Sequence, residues 1–168
     1  DVAPDPGGDG VYAVTWVAAP RLMHIRPDEG EWGIVQDLGP VTQPRDLRVP
    51  MSMFRDHCGG LVFAGNGKLY YVASRWASPD GAHLDRGTRD PHIAGVVWEF
   101  DPRTRERAEA AVLRRPDGIA QYVSRGAADR NGDLFFGHVG RSPVGLFKVS
   151  MPPHARRKDA HLPLRMWG

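Results

Sequence analysis

Short runs of aromatic and β-branched residues, each entered through a glycine turn, recur three times along the chain. They are Gly10-Val-Tyr-Ala-Val-Thr-Trp16, Gly67-Lys-Leu-Tyr-Tyr-Val-Ala-Ser74 and Gly132-Asp-Leu-Phe-Phe-Gly-His-Val139. The turns before them read Gly-Asp-Gly (8–10), Gly-Asn-Gly (65–67) and Asn-Gly-Asp (131–133). Such turns need positive φ, which Gly and Asn adopt at little cost, so each predicts a hairpin. A second strand is predicted after each: Leu22–Arg26, Val96–Phe100 and Val144–Val149. Polar turns at Pro27–Gly30 and Asp101–Thr104 then lead to outer strands at Trp32–Gln36 and Ala108–Leu113. Strands at Gly60–Ala64 and Tyr122–Ala127 precede the second and third glycine turns. Ala and Glu would also allow a short helix within 103–113; the repeat favours a strand.

The unit is therefore four antiparallel strands, and Gly10, Gly67 and Gly132 space it by 57 and 65 residues. Four-stranded units at such a period predict an all-β fold of about three β-propeller blades, over 1–40, 56–115 and 117–168. The first repeat shows no clear first strand and the third no clear outer one. Residues 151–168 contain Leu162-Pro-Leu-Arg-Met-Trp167, a candidate closing strand. Rings need about four to eight blades, so this ring is incomplete. The expected partners are further blades of the same gene product, a partner chain, or self-association, because open sheet edges invite pairing.

Composition narrows the function classes. At 168 residues with 41% hydrophobic and 25% charged residues, the chain reads as an ordinary globular domain. No apolar run nears the ~20 residues of a membrane span. One cysteine excludes an internal disulfide scaffold. The basic residues comprise 19 arginines and only Lys68, Lys148 and Lys158, at a net charge of +2. A GC-rich genome accounts for that bias; an anionic ligand is the sharper reading, since guanidinium forks match carboxylates. Nucleic acid is not expected, because Arg156-Arg157-Lys158 lacks aromatic interleaving. The chain begins at Asp1, and with the lone cysteine this favours a secreted or periplasmic home.

Candidate chemistry falls on four segments. Arg75–Ile93, a predicted loop of 19 residues, carries Trp76, Arg86, Arg89 and His92. Trp76 with Arg86 and Arg89 would suit an anionic sugar, and a surface insertion is the plain alternative. His57 and Cys58, with His92 and His138 near strand ends in the next blades, form a candidate Zn²⁺ set; a small buried thiol is the commoner fate of Cys58. Asp129-Arg-Asn-Gly-Asp133 resembles half a Ca²⁺ loop, but Gly140 replaces the twelfth-position acid, so a hairpin is expected. Along 121–126, strict alternation puts Tyr122, Ser124 and Gly126 on one face and Gln121, Val123 and Arg125 on the other. The five tryptophans are assigned to blade packing, except Trp76.

The Asp101-Pro-Arg-Thr104 turn resembles those of bacterial β-propeller repeat proteins. Among these, the chain is similar to propeller-type polysaccharide lyases such as the oligogalacturonate and ulvan lyases. The resemblance implies an anionic, uronate-containing carbohydrate as ligand or substrate. It implies an Arg neutralising the carboxylate, for which Arg125 is the candidate. Tyr122 or His92 would remove the C5 proton, which carboxylate neutralisation makes more acidic. A non-catalytic platform that binds protein or sugar is the other class. It fits the lack of a G-x-S-x-G motif or a phosphate loop.

Overall fold

The computed structural model describes residues 1–15, 20–41, 58–76, 92–115, 118–119, 123–138 and 145–151. All regular structure among them is β. The first sheet comprises β1 (Val2–Pro4), β2 (Val11–Val14), β3 (Arg21–Arg26) and β4 (Ile34–Pro40). The second comprises β5 (Cys58–Phe63), β6 (Leu69–Trp76), β7 (His92–Phe100) and β8 (Arg107–Val112). A two-stranded ribbon, β9 (Arg114–Arg115) with β10 (Gly118–Ile119), follows. The third sheet comprises β11 (Val123–Ala128), β12 (Leu134–His138) and β13 (Gly145–Val149). Each sheet is an antiparallel meander in chain order.

The predicted strands are recovered, with a strand rather than a helix at 107–112. Three expectations need correction. The first repeat does have a first strand, β1. Three residues ending in proline carry too little pattern to be seen. Pairing with β2 holds β1 in place. So does the Asp1 carboxylate, which accepts from Gly60 N at 2.6 Å and Leu61 N at 3.4 Å. Next, Arg75–Ile93 is not all loop: Arg75 pairs with Ile93, and Trp76 with His92. Finally, Trp32 is not a buried packing residue: it is 89% exposed, because it sits in the turn before β4. The candidate closing strand 162–167 lies outside the described residues, as do Trp16 and Trp167.

The hairpin reading of 129–133 holds. Asp129 N donates to Asp133 O, Gly132 N to Asp129 O, and the Asp129 carboxylate accepts from Asn131 N and Asp133 N. The 64–68 turn repeats the backbone pattern: Ala64 N donates to Lys68 O and Gly67 N to Ala64 O. At Asp101-Pro-Arg-Thr104, the Asp101 carboxylate accepts from Arg103 N at 2.9 Å and Asp101 O from Arg105 N at 2.8 Å. Arg105 closes that turn at φ 61°, a left-handed conformation that costs a non-glycine residue about 1–2 kcal/mol.

Two cores lie between the sheets. Tyr12, Val14 and Leu22 of the first sheet cluster with Leu61, Leu69, Tyr71, Val96, Trp98 and Phe100 of the second. On the far side, Tyr70, Val72 and Val97 cluster with Leu134 and Phe136 of the third. Strand alternation explains this: Trp98 and Phe100 face one neighbour, Val97 the other. Polar ties reinforce the first contact. Tyr71 Oη donates to Val41 O at 2.7 Å, and Arg107 Nη2 donates to Leu38 O at 2.7 Å with its guanidinium 4.8 Å from the Phe100 ring centre.

The second contact depends on backbone approach. A Cβ on Gly126 would lie 2.2 Å from Gly60 O, so β5 and β11 touch where neither has a side chain. Gly60 also has φ +73°, within a register shift between Gly59 and Val62. β1, β5 and β11 thus lie side by side, each the first strand of its sheet.

Candidate functional site

An antiparallel meander places its connections alternately at two ends. At one end are the turns 5–10, 27–33, 64–68, 101–106 and 129–133, all within the described residues. At the other, β1, β5 and β11 start, β2, β6 and β12 finish, and β3, β7 and β13 start again. We call these the turn end and the start end.

The predicted site residues that are described lie at or near the start end. Trp76, the last residue of β6, pairs with His92, the first of β7. Cys58 opens β5. His138 closes β12, opposite Val123 of β11 and Gly145 of β13. Arg125 lies three residues into β11 and is exposed. Opposite Gly137, itself opposite Leu146, it shares the outward face of the third sheet. His57, Arg86, Arg89 and Tyr122 lie outside the described residues.

Three expectations about these residues meet specific geometry. The strict alternation expected over 121–126 is interrupted by a register shift between Val123 and Arg125. The extra residue, Ser124, breaks the period of two. Cys58 is buried at 6% exposure in the core with the first sheet, and burial pushes its thiol pKa well up. The thiol thus sits among apolar side chains as a small buried residue. Cys58 pairs with Ala73 and Ala73 with Val96, while His92 lies four residues earlier on β7. That is about 13 Å along the strand, and His138 belongs to a different sheet. Among the described residues, no three His, Cys, Asp or Glu side chains come together as a metal site.

The turn end holds titratable clusters that the sequence reading did not single out. Tyr12 and His24 are cross-strand partners, stacked at 4.4 Å between ring centres. His24 Nε2 is 2.9 Å from Asp5 Oδ2, without hydrogen-bond alignment. Burial and the Asp5 carboxylate raise the Tyr12 pKa, and Arg105 opposes the shift. In the second sheet, Tyr70 and Glu99 are the corresponding pair. Tyr70 Oη donates to Glu99 Oε2 at 2.5 Å and accepts from Asn66 Nδ2 at 3.0 Å, while Lys68 Nζ holds Glu99 Oε1. Burial, then Glu99, pushes the Tyr70 phenol up. In the third sheet, Phe135 pairs with Lys148, whose Nζ lies 5.8 Å from the ring centre and 2.8 Å from Asp133. The signal was the repeat itself: an aromatic on each second strand opposite a titratable residue on each third.

The hydrogen bonds and ion pairs of these clusters brace the turn end. Both phenols stay protonated near neutrality, so neither serves as a base. The Glu99 carboxylate is occupied by Lys68 and Tyr70, and Asp133 by Lys148 and Met151 N. No family model, curated protein or solved structure matches the chain.

Proposed function

We propose that the three sheets are blades of a β-propeller and that their start end binds an anionic, uronate-containing carbohydrate. The blade reading draws support from the adjacency of β1, β5 and β11, since first strands line the axis of a propeller. The ligand reading rests on one observation: Trp76, His92, His138 and Arg125 all belong to the start end or its nearest strand positions, while the turn end is closed by short turns and occupied ion pairs. Arg125 forms no hydrogen bond or ion pair among the described residues. Its guanidinium fork is therefore available to a uronate carboxylate. An indole at position 76 would add a stacking surface for a sugar ring.

Calorimetric titration of the protein with oligogalacturonate and with a neutral glucan of equal length tests this. Binding is expected for the acidic sugar, weakening as salt rises. Arg125→Ala should weaken it about tenfold or more, the worth of one charge-assisted hydrogen bond. Equal affinity for both sugars, or none for either, would sink the reading. Formation of an unsaturated, ultraviolet-absorbing product would make the protein a lyase: the base takes the C5 proton, a C4–C5 double bond forms, and the C4–O bond breaks with its oxygen protonated.

A further inference from the structure

We infer that the outward face of the first sheet is a docking surface for the third sheet of a second copy of this chain. The inference rests on the blade reading above and adds the partner that completes the ring.

Register and packing face align the second strands of the three sheets. Val11, Leu69 and Leu134 hold one position, and Ala13, Tyr71 and Phe136 another. In the second and third sheets these positions face the preceding sheet. There Leu69, Tyr71, Leu134 and Phe136 are all at 0% exposure. In the first sheet the same positions face outward, and Val11 and Ala13 are only half-buried. Cross-strand pairing puts Val2, Met23, Ile25 and Val35 on that face with them. Val2 is 62% exposed and Val35 60%. The face therefore has the composition of a packed sheet surface, and among the described residues no sheet lies upon it.

The third sheet shows the reciprocal lack. Phe135 holds the position of Tyr12 and Tyr70, which face the following sheet and are buried at 6% and 1%. Phe135 is half-buried, and Leu146, on the same outward face, is 69% exposed. Each end of the three-sheet stack thus presents what the other end lacks. The contact continues an interface the chain already uses twice.

The contact is head-to-tail, and such contacts stop growing only when the rotation closes. Counting the described sheets of three or four strands, two copies supply six, within the range of closed propellers. A closed pair makes the junction twice and leaves no sheet end open.

Sedimentation of the full chain over a range of concentrations tests the proposal. The expected species has twice the 18.6 kDa chain mass. Ala13→Arg on the first sheet and Leu146→Glu on the third should each weaken association on the order of 100-fold, because each buries an unpaired charge. Circular dichroism checks that both variants stay folded. Mixing the two variants should restore pairs, because one junction then joins two intact faces. A monomer at all concentrations overturns the proposal. A pair broken by one variant but not the other also overturns it, since that indicates a self-complementary contact. Sugar binding is read separately by calorimetry, so failure of the second copy and failure of the ligand reading remain distinguishable.

Discussion

Tyr71 and Ala13 occupy the same place in their sheets, yet Tyr71 is fully buried and Ala13 is half-exposed. Among the described residues, the second sheet is covered on both faces and the first on one. Local pattern is alike in the two, so the difference comes from neighbours. A strand's alternation states which residues share a face. It does not state whether another sheet covers that face. The same contrast separates the braces at the turn end. Tyr70 is enclosed by the third sheet and hydrogen-bonded to Glu99, whereas Phe135, its counterpart in the last sheet, is half-buried beside Lys148.

The sharpest way to break the comparison is to cut the same kind of contact in both regions. Trp98→Ala removes a side chain at 1% exposure between the first two sheets and should cost about 4 kcal/mol. Val35→Ala, on the open face, should cost under about 0.5 kcal/mol in the monomer. Urea denaturation of both variants measures the difference, and equal losses would show that the open face is packed. Gly126→Ala comes next. Its methyl would collide with Gly60 O and force β5 and β11 apart, at about 3 kcal/mol. A neutral result would mean that these first strands do not touch.

The smallest expected effect is one of pH. The Tyr70 phenol is pushed above its ordinary value of 10 by burial and Glu99. Below that value it is protonated in both the folded and the unfolded chain, and its contribution is fully present. As pH rises past the ordinary value, the unfolded chain ionises first and the contribution is lost. Tyr70→Phe should therefore flatten the alkaline fall in stability. It does not abolish the fall, because Tyr12 and Tyr71 are shifted in the same direction. Denaturation at about pH 8 and about pH 11 brackets the ordinary phenol value. An unchanged alkaline slope would remove Tyr70 from the set of shifted phenols.

Much of the strand order was legible because each repeat carries its own turn chemistry. Gly and Asn before the aromatic strands, and Asp101-Pro-Arg-Thr104 before β8, announce turns whose hydrogen bonds are local. β1 was not legible, since three residues have no period and its anchor, Gly60, is remote in sequence. The reach of β6 and β7 to Trp76 and His92 was missed for a similar reason: Arg75 and Trp76 read as loop residues until the partner strand is in register. Trp32 was assigned to packing by its type, and its turn leaves it in solvent. Of the candidate site, the grouping of Trp76, His92 and His138 at one end follows from strand order. The environment of Cys58 does not, because its burial comes from the first sheet.

The sequence by itself determined the hairpins, the alternation within most strands and the threefold repeat, because these depend on residues close together in the chain and on backbone preferences of Gly, Asn, Asp and Pro. Only the tertiary structure decided which of two equivalent faces is buried, where the register shifts fall, and how Gly60 and Gly126 let two strands touch. Those outcomes depend on packing between residues dozens of positions apart, and one neighbouring sheet is enough to turn the same pattern from a surface into a core.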